Sequence, residues 1–204
     1  MSFLSLDSKF MVLLSRTVDY IQLNLYCLVC CIPIVTAGAA FTARYYVSMK
    51  IVRGEEPVIT KAYFKAFRDN FKQATAVWLM VAALILLYFI DWRWTRVTGQ
   101  NVPMQILFMV LCLLAVCMAF CAFPMLARFR MTVFGLIKSS FIFSVIHLPR
   151  VLLALVLEAV PLMLGYLYLK WFVLVWLVMA AAVLHLNSQM FVEQFKKLED
   201  KKMP

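Results

Sequence analysis

The chain has 204 residues, 65% of them hydrophobic and 15% charged, against roughly 45–50% apolar in an ordinary soluble domain. Disorder, which needs low hydrophobicity and high charge, is excluded; so is a soluble core, because a chain this short cannot hide that much apolar surface from water. The formal charge of +10 then reads as basic segments facing an anionic membrane leaflet rather than as a nucleic-acid footprint.

A helix crossing the hydrocarbon core takes about 20 mostly apolar residues. Five charge-poor runs of that size predict an all-α polytopic membrane helix bundle with about five transmembrane helices. Their positions are about 17–36, 73–91, 103–124, 149–168 and 171–190. The whole chain, 1–204, reads as a single membrane domain with cytoplasmic segments at about 44–72, 128–148 and 191–204.

The first helix is expected to kink near Ile32, because Pro33 lacks an N–H and clashes with the preceding turn. After it, Thr36, Gly38, Ala39 and Ala43 are small enough for close backbone approach. A shorter helix over 38–53 is expected to slope into the cytoplasm, ending at a turn over Gly54, Glu55, Glu56 and Pro57. Residues 58–72 then form an amphipathic cytoplasmic helix, capped by Thr60 and stapled by Ile59 and Phe64. One side carries Tyr63, Phe64, Phe67 and Phe71, the other Lys61, Lys65, Arg68 and Lys72. Such a helix lies on the inner membrane surface or offers an aromatic ridge to a partner. Trp92 and Trp94 fit an aromatic belt at the outer end of helix two.

Residues 128–147 read as a second amphipathic cytoplasmic helix ending before Pro149, which suits the first turn of helix four. A tight turn near Gly165 and Lys170 makes the last two spans an antiparallel pair, and the tail from Glu193 is a solvated helix end. Fourteen of the 20 Lys and Arg residues fall in the three cytoplasmic segments, and Arg150 at the cytoplasmic start of helix four makes fifteen on that side. With an odd number of spans, that bias places the N-terminus outside and the C-terminus in the cytoplasm. Residues 1–16 lack a small-residue cleavage site, so the first helix is expected to stay in the protein.

Catalysis needs convergent polar groups in a cleft, and no phosphate loop, His-Glu-x-x-His or Gly-x-Ser-x-Gly motif is present. Neither an enzyme nor a cofactor is expected. Cys27, Cys30, Cys31, Cys112, Cys117 and Cys121 lie in apolar helices, where a thiol behaves as a small hydrophobe, so no metal site is expected. Cys121, near the cytoplasmic end of helix three, is a candidate for palmitoylation. Ionisable groups inside the membrane are costly unless paired, which singles out Asp19, Glu158 and His185. Glu158 reads as a proton or cation relay, a polar hook for a partner helix, or a carboxylate bonded within the bundle. His185 is the expected structural partner of Glu158, and Asn24 an expected helix–helix hydrogen bond.

Several short motifs carry a family resemblance: Asn24-Leu25, the run from Ile32 through Pro33, Thr36 and Gly38 to Ala40, Arg53-Gly54-Glu55-Glu56, and Phe64-x-x-Phe67-x-x-Asn70-Phe71. In these the chain resembles the YesL-like family of bacterial integral membrane proteins of unknown function. Looser matches continue at Pro124, Ala127-Arg128-Phe129 and His147-Leu148-Pro149. The resemblance implies a plasma-membrane protein of sugar-utilising, largely Gram-positive bacteria, encoded beside carbohydrate ABC importers. The expected role is therefore a non-catalytic accessory or regulatory subunit bound to the permease or ATPase subunits of such an importer. Neither cytoplasmic helix carries the Glu-Ala-Ala…Gly coupling sequence of a permease core. Membrane lipid is the other expected partner; nucleic acid and a direct small-molecule substrate are not expected. The alternative is a stand-alone small-solute or ion-coupled transporter, or a membrane substrate-binding component, using the broken helix one and Glu158.

Overall fold

The structure is a computed structural model, and it describes residues 9–98, 102–129, 131–168 and 173–200. Seven α-helices follow in order, with no strand among the described residues: α1 Lys9–Cys30, α2 Ala37–Val52, α3 Ile59–Thr98, α4 Val102–Arg128, α5 Val133–Ile146, α6 Leu148–Tyr168 and α7 Val173–Asp200. By length and composition α3 and α4 can each cross a membrane, over Ile59–Arg96 and Pro103–Arg128. A third crossing arises if α5 and α6, bent by 96° at their junction, count as one broken span. Among the described residues, two or three elements are therefore long and apolar enough to cross a membrane by that measure, where hydropathy along the chain suggested about five.

The break after α1 is built from its own chemistry. The chain leaves the helix before Pro33 and makes one 3₁₀ turn, Ile34–Thr36. The Thr36 hydroxyl donates to the carbonyls of Cys30 and Pro33, satisfying groups that the ended helix leaves open. The Trp78 indole N–H donates to the Ile34 carbonyl at 2.7 Å. This break is more than a kink, because α2 turns back along α1. Arg44 bonds Asn24, and the start of α1 meets the turn after α2 in a cavity of about 490 Å³ lined by Arg16, Asp19, Glu55 and Glu56. These two segments, expected on opposite membrane faces, thus meet at one end of the bundle.

Nor does α2 slope away from the bundle. Of its 16 residues, 12 are buried, and it packs against α1, α3, α4 and α7. Gly38 is the point of closest approach: a Cβ there would stand 2.5 Å from the Ala74 carbonyl oxygen and 2.7 Å from the Trp78 Cβ. α2 ends in a Schellman motif. Gly54 has φ +80°, Glu55 N–H bonds the Lys50 carbonyl at 3.1 Å and Gly54 N–H bonds that of Ile51 at 3.0 Å. Lys50 and Arg53 both pair with Glu55 across this turn.

The expected amphipathic helix and the second span are one continuous helix of 40 residues, about 60 Å long at 1.5 Å per residue. No Gly or Pro lies between Ile59 and Thr98 to interrupt it. Thr60 sits inside its first turn, with its hydroxyl bonded to the Tyr26 hydroxyl at 2.9 Å rather than capping the helix. Beyond Trp78, α3 continues past the α1–α2 apex beside α4, and both expose apolar side chains there, among them Leu86, Phe89, Ile106 and Leu113.

The other end of the bundle is an aromatic core. Phe191 and Phe195 of α7 are fully buried and pack on Tyr45, Phe120, Phe129 and Phe143. Arg128 closes it with a bidentate pair to Glu199, at 3.0 and 2.7 Å. The last turns of α7 are thus partly docked, where a solvated end was expected. Thr132 caps α5 by accepting from the Gly135 N–H, and Pro149 falls in the first turn of α6 as its fixed φ favours. The connection over 169–172, including Lys170, lies outside the described residues.

Candidate functional site

Four helices bring polar groups to one point inside the bundle. Arg44 of α2 is 7% exposed and Asn24 of α1 is 6% exposed. One terminal nitrogen of the Arg44 guanidinium donates to the Asn24 side-chain carbonyl at 3.2 Å, and the other pairs with the Glu158 carboxylate of α6. The second carboxylate oxygen accepts from the Asn187 amide of α7 at 3.0 Å. The guanidinium also stands 5.4 Å from the ring centroids of Phe41 and Tyr45, which favours a cation over the ring faces. A buried charge persists only when it is neutralised and hydrogen-bonded, and the Arg44–Glu158 pair meets that condition.

Glu158 therefore pairs with Arg44 rather than with His185. His185 forms a separate chain, Nδ1 with the Tyr20 hydroxyl at 2.9 Å and Nε2 with the Gln189 amide at 2.9 Å. Asp19 belongs to neither and lines the cavity at the foot of the α1–α2 hairpin. A further buried pair, the Ser48 and Ser188 hydroxyls, joins α2 to α7. Arg44 was counted among the residues of the cytoplasmic segment 44–72. Its burial had one signal in the sequence: it follows a stretch from Thr36 to Ala43 in which every residue but Phe41 is small.

Beside the pair lies a cavity of about 190 Å³. Asn24, Arg44 and Glu158 form its polar end, and Leu28, Phe41 and Val183 are among its apolar walls. Two thiols also line it, Cys27 and Cys31, with their sulfurs 3.9 Å apart. Asn24 Nδ2 and Arg44 Nε are both buried and without a hydrogen-bond partner. Cys121 is fully buried in the core, which removes the access that palmitoylation at that position needs.

The proposed partner face divides in two. Tyr63 is fully buried and its ring lies 5.6 Å from that of Tyr26. Phe67 and Phe71 pack against the core, so the aromatic side of this stretch turns inward and only Phe64 is well exposed. Lys61, Lys65, Arg68 and Lys72 face outward. Pro33 and Thr36 shape the hairpin apex, while Gly38 seats α2 on α3.

Neither a curated protein nor a solved structure matches the chain. Residues 20–92, which hold Asn24, the hairpin apex, Gly38, Arg44 and the exposed basic strip, match the family described as "Protein of unknown function, DUF624", the family in which YesL-like proteins fall.

Proposed function

We propose that the chain is a non-catalytic accessory subunit of the bacterial plasma membrane, YesL-like in type, associating with the membrane or ATPase subunits of a carbohydrate ABC importer. The observation that carries this reading is the division of α3. Its apolar second half is long enough to cross a bilayer, while its first half turns Tyr63, Phe67 and Phe71 inward and leaves Lys61, Lys65, Arg68 and Lys72 outward as a cationic strip. The family match supports it, and the sugar importer enters through the YesL-like resemblance. Because α1 folds back on α2, Arg16 joins the end that holds Arg53, Lys65 and Arg128, with Arg93 and Arg96 at the far end of α3. The positive-inside bias then favours both termini on the cytoplasmic side, with an even number of crossings. Tagging the protein in its host and identifying what co-purifies in mild detergent tests the role: importer subunits are expected, and a clean monomer overturns it.

A second reading, a small-solute transporter, is favoured by the cavity that adjoins both the broken first helix and Glu158. Flux through proteoliposomes, with Glu158→Gln as the control, tests that reading. Flux unchanged in the variant removes Glu158 from any translocation step.

A further inference from the structure

We propose that Arg68 and Lys72 of α3 form, with the start of α5, a headgroup site for an anionic phospholipid at the cytoplasmic surface of the membrane. The inference goes beyond the accessory role: it gives the inner half of the cationic strip to lipid and leaves Lys61 and Lys65 for a protein partner.

Two helices mark the same membrane boundary. α6 exposes a stripe of apolar side chains, Leu153, Val156 and Met163, as a helix in lipid does, and α5 meets it at 96°. α5 therefore lies along the membrane plane. Its buried side is Leu136, Ser140, Phe143 and Ser144. Its open side carries Phe134 at 80% exposure, with Phe141, Val145 and Ile146, and one charge, Lys138. An in-plane helix sinks such a face into the boundary between headgroups and acyl chains, while a lysine on it extends its ammonium to water. On α3 the boundary is chemical: Lys72 is the last charge before the charge-free run Gln73–Ile90.

Between these two markers lies a recess of about 830 Å³. Arg68, Lys72 and Gln73 form its α3 side and Thr132 its α5 side. Arg68 and Lys72 are four residues apart and share a helix face. Both are exposed, and neither forms an ion pair among the described residues. The Thr132 hydroxyl accepts the Gly135 N–H, which leaves its own proton for a phosphate oxygen. Asp69 adds one carboxylate to the wall. The recess thus keeps an excess of one positive charge, which suits the single negative charge of a phosphodiester. A lipid satisfies both parts of the surface, its phosphate against the cations and its chains against Phe134, two residues from Thr132.

The test titrates the purified full-length protein in detergent with three probes, and native mass spectrometry counts what is bound. The probes are dioleoylphosphatidylglycerol, dioleoylphosphatidylcholine, and glycerophosphoglycerol, which is the first lipid's headgroup without its chains. The anionic lipid is expected to bind roughly tenfold tighter than the zwitterionic one, the effect of two nearby cations. Arg68→Gln with Lys72→Gln is expected to erase that preference, and Lys61→Gln with Lys65→Gln to keep it. All four side chains are exposed, so both double variants are expected to keep the wild-type melting temperature without lipid. Equal affinity for the two lipids overturns the proposal and leaves this face to a protein. Equal losses in the two double variants also overturn it, since the charge is then a diffuse strip rather than a site. Binding of glycerophosphoglycerol as tight as that of the whole lipid overturns it as well, in favour of a soluble phosphate ester. No importer subunit is present in this assay, so its failure leaves the accessory role standing, and a failed co-purification leaves this site standing.

Discussion

Trp78 holds the Ile34 carbonyl through its indole N–H at 2.7 Å, and this bond fixes the apex of the α1–α2 hairpin beside the middle of α3. From Trp78 to Thr98, α3 runs on for about 30 Å, enough by itself for the hydrocarbon core of a bilayer. The hairpin consequently reaches a different depth from the α3–α4 pair.

A labelling prediction follows from that hairpin. Single cysteines at Ser15→Cys and Lys65→Cys are expected to react with a membrane-impermeant maleimide from the same face of sealed vesicles. Reaction from opposite faces would mean that α1 does not fold back on α2.

Removing either member of the Arg44–Glu158 pair leaves the other charge buried without its counter-ion. Arg44→Met and Glu158→Leu are each expected to lower unfolding stability by about 3–5 kcal/mol. The double change Arg44→Met with Glu158→Leu is expected to recover part of that loss. Denaturant titration in bicelles, arranged as a double-mutant cycle, checks both statements; additive losses would contradict the pairing.

The two informative glycines should fail for different reasons. Gly38→Ala forces a methyl group into the Ala74 carbonyl and the Trp78 Cβ, an overpacking expected to cost about 1–3 kcal/mol. At Gly54 a Cβ meets nothing within 4 Å, so Gly54→Ala suffers only its positive φ, on the order of 1 kcal/mol. Melting curves in one detergent rank the pair; a larger loss at Gly54 would contradict the close seat of α2 on α3.

Arg128 is mostly buried but its partner Glu199 is 42% exposed at the side chain, so solvent screens the pair. Glu199→Gln is expected to cost less than about 1 kcal/mol, with the difference from wild type shrinking in high salt. A large loss, independent of salt, would mean that the pair is effectively buried.

Local chemistry was legible before any coordinates. Pro33 marked the break, Pro149 the first turn of α6, Gly54 the turn after α2, and the small residues around Gly38 the close packing. Each of these acts within a few residues of itself. The path of the chain was harder to read, because hydropathy measures preference for lipid and is blind to whether a helix continues outward or folds back. Arg44 resembled its basic neighbours Lys50 and Arg53, since what distinguishes it is a carboxylate 114 positions later. The aromatic stripe at Tyr63, Phe67 and Phe71 had the period of a docking ridge, and periodicity alone does not say whether the covering surface belongs to another chain or to the same one.

That separation of 114 positions also imposes an order on biogenesis. At ribosomal speeds of about 5–20 residues per second, Arg44 is made roughly 6–20 s before Glu158. Through that interval the guanidinium has no counter-ion, so the nascent α1–α2 segment waits where water can still solvate it. The arrival of α6 then acts as a checkpoint: chains truncated before Glu158 would retain α3 and α4 in the bilayer but leave α2 unseated and open to quality-control proteolysis.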